Sequence, residues 1–305
     1  MPKEKIVIND VGPRDGLQNQ KQVLSVAQRV ELIQALVTAK VPAIEVGAFV
    51  SPKAVPAMAN TAEVIQSLPA HGALYSTLIP NKYGYELAKQ SEVELSSLVL
   101  AVSSTMNEKN IGMNTQSALS MAKDVLALAK QEKRKVQAYV ATAWACPFEG
   151  QIQAKHVVQL TEQLLLAGAS DIVIADTIGA ANPKQVKNLM KLLADEFGMQ
   201  RLSCHFHDTR AMGLANVFAA VEVGIRKFDA SIAGLGGCPF APGASGNVAT
   251  EDVVMMLEQM DFDTGIDMSA LLTASDLAIQ LTGTAKGGNA KAWLQNFHPQ
   301  SAVAG

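Results

Sequence analysis

The feature that most constrains the fold is a regular alternation along the chain. Eight short apolar runs rich in β-branched residues are separated by stretches whose apolar residues recur at helical spacing. Units of a strand followed by a helix predict a parallel sheet covered by helices, and eight of them predict a closed (β/α)8 TIM barrel. The runs cover residues 6–12, 43–49, 73–80, 96–103, 135–144, 171–178, 202–207 and 227–234.

An open, doubly wound sheet is the alternative architecture, and the glycine pattern argues against it. A dinucleotide-binding sheet carries GxGxxG after its first strand, whereas residues 11–16 read VGPRDG. The length of 305 residues suits one barrel with a short addition. We therefore expect residues 1–262 to form a catalytic barrel and residues 263–305 to form a helical C-terminal extension packed on it.

The first predicted helix, residues 26–40, has a clear start and a clear apolar face. Ser25 followed three residues later by Gln28 is typical of a capping box, in which each residue bonds to the backbone of the other. The apolar residues repeat at helical spacing. The face expected to be buried comprises Val30, Ile33, Leu36 and Val37.

Composition and charge limit the classes of partner. Apolar residues make up 49% of the chain and charged residues 17%, and the net charge is −3, so neither nucleic acid nor a membrane is an expected partner. No apolar run reaches the roughly 18 residues that a membrane span needs. Cys146, Cys204 and Cys238 form no CxxC pair and no disulfide framework. With no signal segment at the start, a cytoplasmic protein is expected.

Polar residues stand where the predicted strands end. Catalytic side chains of a (β/α)8 barrel lie at the C-terminal ends of the strands, so these residues are candidates for the active site. Their positions in the sequence are Arg14 and Asp15 after the first run, Glu45 within the second, Asp176 and Thr177 in the sixth, and His205 and His207 in the seventh.

The two histidines favour a divalent-metal site. His205 and His207 are two residues apart, so on a strand both imidazoles project from one face. A carboxylate such as Asp15 and an amide such as Asn247 would complete a ligand set that favours Mg²⁺ or Mn²⁺, while two imidazoles leave Zn²⁺ open. The alternative is a pair of hydrogen-bonded core histidines.

Arg14 and Cys238 are candidates for two further roles. A guanidinium supplies planar, charge-assisted hydrogen bonds to an enolate or a carboxylate, and Glu45 could orient it. A buried structural Arg14–Glu45 pair is the other interpretation. Cys238 lies in a loop rich in glycine and proline, residues 234–247, where a thiol could carry a proton. A lone cysteine is more often a small buried apolar residue.

Several of these segments resemble the hydroxymethylglutaryl-CoA lyases. Residues 11–19 look like the opening signature of that family, and the loop at 234–247, with 249–252 after it, is similar to its catalytic loop almost residue for residue. The similarity extends over roughly residues 5–280. Further matching loops are residues 49–58, 146–150 and 176–179.

The resemblance implies a divalent-metal-dependent carbon–carbon lyase that cleaves 3-hydroxy-3-methylglutaryl-CoA to acetyl-CoA and acetoacetate. In that family's pattern Arg14 stabilises the enolate and Cys238 delivers the proton that quenches it. Glu45 could act directly or through Arg14. The implied metal ligands are Asp15, His205, His207 and Asn247. Residues that match other polar positions around the substrate are Asp176, Thr177, Glu251, Lys109 and Asn110.

One stretch departs from the family pattern, and it leaves the acyl specificity open. Residues 103–106 read SSTM where the family has Ser-Glu followed by an aromatic residue or His, and Trp144 is bulky for the barrel mouth. A lyase for a different branched 3-hydroxyglutaryl-CoA or another acyl-CoA is therefore an alternative. A synthase is disfavoured because such enzymes carry a large accessory domain.

Three further expectations concern turnover, assembly and pathway. A barrel that binds metal or acyl-CoA without turnover is the non-enzymatic alternative. Barrels of this kind often pair, so a homodimer is one expectation. The chemistry is compatible with ketogenesis, leucine degradation and terpenoid breakdown.

Overall fold

Eight parallel strands close into a barrel in chain order, which confirms the predicted (β/α)8 architecture. The computed structural model describes residues 2–70, 72–237 and 246–297. The last barrel strand pairs with the first, so the sheet has no free edge. The strands are β1 (Val7–Asp10), β2 (Ala43–Ala48), β3 (Leu74–Leu78), β4 (Leu95–Ala101), β5 (Lys135–Ala141), β6 (Ile172–Asp176), β7 (Leu202–Phe206) and β8 (Lys227–Ala230).

Helices surround the barrel. They are α1 (Val26–Thr38), α2 (Thr61–Gln66), α3 (Lys82–Gln90), α4 (Ser104–Ile111), α5 (Thr115–Gln131), α6 (Ala154–Ala167), α7 (Pro183–Phe197), α8 (Gly213–Glu222), α9 (Thr250–Gln259), α10 (Met268–Thr282) and α11 (Lys291–Phe297). A π-helical turn, Gly12–Gly16, follows β1, and 3-10 turns lie at Pro56–Met58, Met199–Arg201 and Ile232–Gly234. Short strands pair Glu4–Lys5 with Phe262–Asp263 and Ala145–Cys146 with Gly150–Gln151.

The strands end earlier than the apolar runs predicted. Residues 135–144 were expected as a strand, but β5 stops at Ala141 because Thr142 has a left-handed φ of 56°, which no strand can continue. His207 was expected on a strand with His205. It lies one residue beyond β7, where it forms an isolated antiparallel bridge with Asn247.

Alternation along the strands separates an apolar layer from a polar interior. Successive side chains of a strand point to opposite faces, so each barrel strand offers one face to the helices and the other to the barrel axis. Ile8, Ile44 and Phe228 belong to the main hydrophobic core. Their neighbours in sequence, Asn9, Glu45 and Asp229, point the other way. The barrel interior is therefore polar at its catalytic end.

The buried face of α1 differs from the predicted one. Its buried residues are Arg29, Leu32, Ile33 and Leu36, whereas Val30 and Val37 are only half-buried. Arg29 lies inside because its guanidinium donates to the carbonyl oxygens of Ala59, at 2.7 Å, and Val46, at 3.3 Å. Hydrophobic periodicity counts an arginine as solvent-exposed, so the predicted face was rotated away from it.

The chain after β8 packs back onto the barrel. Helix α10 contacts α1, and the Asp267 amide donates to the carbonyl oxygen of Ala39 at 2.9 Å. The expected division at residue 262 stays a prediction, and residues 298–305 of the expected extension lie outside the described residues. Within the described ranges, no helix combines the length and the apolar character that a membrane span requires.

The capping box of α1 makes a measurable contribution to stability. Ser25 Oγ accepts from the Gln28 amide at 3.2 Å, and Gln28 Oε1 accepts from the Ser25 amide at 2.9 Å. Ser25→Ala removes the first bond, so we expect the free energy of unfolding to fall by about 1 kcal/mol in urea titrations. Ser120→Ala, on the exposed face of α5, is the control and should cost nothing. Equal losses in both variants would refute the cap's contribution.

Candidate active site and metal centre

Three side chains converge at the C-terminal end of the barrel. Asp15, His205 and His207 each bring one ligand atom to within 4.8 Å of the others, and all three residues are buried. Asp15 reaches this position because the chain turns sharply in the π-helical segment after β1. A side chain at Gly12 would place its Cβ 2.8 Å from Asp10 Oδ1, so the turn requires glycine there. The spacing of these atoms is that of a metal-ligand cluster.

Asn247 joins the cluster from the far side of the loop after β8. Its Nδ2 donates to Asp15 Oδ2 at 2.8 Å and to the carbonyl oxygen of Leu235 at 3.1 Å. Gly236 has a φ of +132°, and a Cβ there would lie 2.5 Å from Asn247 Nδ2. The structure thus brings together all four side chains that the sequence suggested as ligands.

The cluster fits a divalent cation. Among the described residues, the buried atoms His207 Nδ1 and Asn247 Oδ1 have no hydrogen-bond partner. Buried polar atoms without partners are costly, and both are good metal ligands.

The formal charges point the same way. Around the cluster the carboxylates of Asp15 and Glu45 flank the guanidinium of Arg14, and the carboxylate of Asp229 lies beside His205. The carboxylates outnumber the guanidinium in this buried region, which suits the binding of a cation.

The protonation states also suit metal binding. Burial raises the pKa of Asp15, but Arg14 and the two histidines outweigh it and hold this pKa at about 2. Burial and the neighbouring His205 lower the pKa of His207 to about 4. At neutral pH the cluster therefore offers an ionised carboxylate and at least one neutral imidazole, the forms in which these groups bind metals.

Arg14 is held between two carboxylates beside the cluster. Its Nε donates to Glu45 Oε2 at 2.5 Å and its Nη1 donates to Asp15 Oδ1 at 2.6 Å. Burial lowers the pKa of Arg14, but the charges of Glu45 and Asp15 outweigh it and raise this pKa. The site therefore holds a permanent positive charge in a fixed orientation next to the ligands. The two interpretations of Arg14, a buried ion pair and a charge facing the site, are compatible.

Sequence reasoning missed Asp229 and the two residues that donate to it, Tyr139 and Asn9. Asp229 Oδ2 accepts from Tyr139 OH at 2.7 Å and lies 3.1 Å from His205 Nδ1, while Asp229 Oδ1 accepts from Asn9 Nδ2 at 2.8 Å. The available signal was a carboxylate in the middle of an apolar run, at an inward-facing strand position between Phe228 and Ala230.

Asp10, also missed, connects the two segments that carry the ligands. Asp10 Oδ1 accepts from the Gly12 amide at 2.8 Å, and Asp10 Oδ2 accepts from Thr250 Oγ1 at 2.6 Å. The turn that carries Asp15 is thereby fixed to the start of α9. Asp10 is fully buried, and burial raises its pKa to about 7.

Other predicted site residues organise the surrounding loops. Asp176 accepts from the amides of Ala180, at 2.8 Å, and Ala181, at 3.0 Å, and Thr177 Oγ1 accepts from the Thr142 amide at 2.8 Å. These bonds fix the loops after β5 and β6.

Glu251 is buried away from the ligand cluster. It accepts from the Ala233 amide at 3.1 Å and, at 2.8 Å, from Ser275 Oγ and the Gly288 amide. Lys109 and Asn110 are exposed on α4. Cys238 lies outside the described residues.

Comparisons with known proteins identify the family. The HMGL-like family model matches residues 5–278. The chain belongs to the HMGL-like family. It is 39% identical over 291 residues to the Pseudomonas aeruginosa 3-hydroxy-3-isohexenylglutaryl-CoA/hydroxy-methylglutaryl-CoA lyase, covering 95% of this chain and 97% of that protein.

Two other relatives are similar over most of the chain. The (R)-citramalyl-CoA lyase of Chloroflexus aurantiacus is 40% identical over 284 residues, with 90% of each chain covered. The structure of an Acinetobacter baumannii HMG-CoA lyase in complex with coenzyme A and 3-methylmalate superposes with a TM-score of 0.91 at 38% identity. It covers 99% of this chain and 97% of that one.

The raised pKa of Asp10 predicts a pH dependence of stability. Its pKa is about 7 in the folded state against an ordinary 3.8, so its contribution is complete below the ordinary value and is lost as the pH rises through 7. Asp10→Asn cannot titrate. Between about pH 5 and about pH 8, we therefore expect the free energy of unfolding to fall further in the wild type than in the variant.

Urea titrations of both proteins at the two pH values measure this difference. Asp124→Asn, an exposed aspartate on α5, is the control and should follow the wild type. Parallel behaviour of the wild type and Asp10→Asn would contradict the prediction.

Proposed function

We propose that this member of the HMGL-like family is a divalent-metal-dependent carbon–carbon lyase that cleaves 3-hydroxy-3-methylglutaryl-CoA to acetyl-CoA and acetoacetate. The observation that carries the proposal is the buried cluster of Asp15, His205 and His207 beside the fixed guanidinium of Arg14. A relative's complex with coenzyme A and the acyl-CoA thioesters for which another relative is named support an acyl-CoA substrate.

Asp15, His205, His207 and Asn247 would hold the metal. A carboxylate and an amide oxygen favour Mg²⁺ or Mn²⁺, and the two imidazoles keep Zn²⁺ as the second choice. When bound, the ion supplies a Lewis acid that lowers the pKa of the substrate's tertiary hydroxyl.

The residues of this chain account for the movement of protons and charge. Asp15 accepts the proton of the tertiary hydroxyl. The carbon–carbon bond then breaks, its electron pair goes to the thioester α-carbon, and the former hydroxyl carbon becomes the ketone of acetoacetate. Arg14, oriented by Glu45, stabilises the resulting enolate oxygen. Cys238 protonates the α-carbon and completes acetyl-CoA.

The remaining candidate residues have supporting roles in this proposal. Asp176, Thr177 and Glu251 hold the loops that shape the site, through the backbone and side-chain bonds described above. Lys109 and Asn110 are exposed on α4, where they are available to the coenzyme A part of the substrate.

A second candidate substrate is a thioester with a different acyl group. The relatives include lyases named for a longer branched thioester and for citramalyl-CoA. Ser103, in the stretch that departs from the family pattern, is buried as the N-cap of α4 and accepts from the Met106 amide at 3.1 Å. Trp144 packs against Phe206, with ring centroids 5.7 Å apart. The SSTM departure at 103–106 and the thioesters for which the relatives are named together support this second candidate.

The same proposal includes three further points. The cysteine pattern supports a cytoplasmic location, and the frequent pairing of such barrels supports a homodimer. The products of the reaction support a place in leucine degradation. The net charge of −3 supports the expectation that neither nucleic acid nor a membrane is a partner.

Removal of the metal and substitution of one histidine test the proposed activity. Metal-stripped protein should release no acetoacetate from 3-hydroxy-3-methylglutaryl-CoA, and Mg²⁺ or Mn²⁺ should restore release. His207→Gln removes a ligand, so we expect kcat/KM to fall by about 100-fold or more at saturating metal. His156→Gln, an exposed histidine on α6, is the matched control. Full activity of the stripped protein, or of His207→Gln, would refute the metal-dependent mechanism.

The acyl specificity is tested with a panel of thioesters. We expect kcat/KM to be highest for 3-hydroxy-3-methylglutaryl-CoA, lower for 3-hydroxy-3-isohexenylglutaryl-CoA and lowest for citramalyl-CoA, measured by release of acetyl-CoA. A reversed order would retain the lyase mechanism and replace the substrate. No turnover of any thioester, despite tight metal binding, would favour the non-enzymatic barrel.

A further inference from the structure

We propose that Asp229 is the positioning residue of the metal centre. Its carboxylate fixes which nitrogen of His205 carries the proton, and thereby directs Nε2 of that ring to the metal. The inference rests on the metal site of the proposed function and extends it to a residue outside the ligand set.

The geometry begins with the register of two strands. His205 on β7 and Asp229 on β8 are direct partners across the sheet, so both side chains point into the barrel at the same level. Asp229 is 4% exposed, and its Oδ2 lies 3.1 Å from His205 Nδ1. With Nδ1 engaged, Nε2 is the ring nitrogen left for a ligand bond.

The donors around Asp229 require its carboxylate to act as a hydrogen-bond acceptor. Asn9 Nδ2 and Tyr139 OH both donate to it, at 2.8 Å and 2.7 Å. A carboxylate has acceptor sites only, so it accommodates these two donors and a third from His205. His205 Nδ1 therefore carries a proton, and in the neutral imidazole Nε2 keeps its lone pair.

Packing fixes the plane of the His205 ring, and the carboxylate fixes its proton. The ring meets Tyr139 edge-on, with centroids 6.2 Å apart, and lies 5.2 Å from the ring of His207. These contacts restrict rotation, but they do not distinguish the two nitrogens. That distinction comes from Asp229, and a carboxylate behind a metal-binding imidazole also increases the ligand's basicity.

His207 provides an internal comparison. Its Nδ1 has no hydrogen-bond partner in the part of the chain that the structure describes, so this nitrogen, unlike Nδ1 of His205, is available as a ligand atom. The two candidate ligands thus present different ring nitrogens, and a change at Asp229 acts on the metal through His205.

The test is metal affinity in the absence of substrate. Asp229→Asn keeps the side-chain shape but removes the charge and leaves one acceptor oxygen facing three donors. We expect its Kd for Mn²⁺, measured by calorimetry at about pH 8.5 to limit proton competition, to rise about 10–100-fold. Tyr139→Phe is the matched control, because it removes one donor to the same carboxylate oxygen and leaves the charge. It should bind Mn²⁺ nearly as the wild type does.

Unchanged Mn²⁺ affinity in a folded Asp229→Asn protein would overturn the proposal, as would an equal loss in Tyr139→Phe. A second measurement uses the wild type and does not depend on the variant folding. In Mg²⁺-loaded protein labelled with ¹⁵N-histidine, the ring signals of His205, assigned by their loss in His205→Gln, should show the proton on Nδ1. A proton on Nε2 would overturn the proposal.

Neither readout involves turnover. Metal binding that depends on Asp229 in a protein that cleaves no thioester would leave this inference intact and refute the proposed activity.

Discussion

The burial of several carboxylates at one end of the barrel is the constraint on which the rest of the site depends. Asp15, Glu45 and Asp229 are almost inaccessible to water, and Arg14 is the single guanidinium between the first two. Removing a charge from water costs several kcal/mol unless partners compensate for it. Each carboxylate accordingly has charged or hydrogen-bonding partners of its own, and these partners fix the geometry of the cluster.

The partners come from distant parts of the chain, which makes the site a product of barrel closure. Asn9 on β1 bonds to Asp229 on β8 across 220 residues of sequence, and Asp10 bonds to Thr250 across 240. The first bond spans the junction where the last strand meets the first, and the second joins β1 to the start of α9. The polar site and the closed sheet therefore stabilise each other, because an open sheet would leave these buried groups without partners.

The residues that would bind the metal differ from the residues that hold the loops, and this division explains how the loops are organised. Asp176 and Glu251 accept hydrogen bonds from the backbone amides of neighbouring loops. Carboxylates that bind backbone amides fix a loop's shape without entering the chemistry. In an HMGL-like barrel such supports keep Asp15 and the two histidines within ligand distance while the chain that connects them remains irregular.

The sequence by itself determined the barrel and the ligand cluster. Strand alternation and the rule that barrel chemistry lies at strand ends are local or general, so Asp15, His205 and His207 could be predicted together. Asn247 was suggested as the amide ligand, and the resemblance implied the same residue. The tertiary structure alone decided that Asp229 lies behind His205 and that Asp10 joins two distant segments. Such pairings follow from the register of strands far apart in sequence, and no local pattern encodes that register.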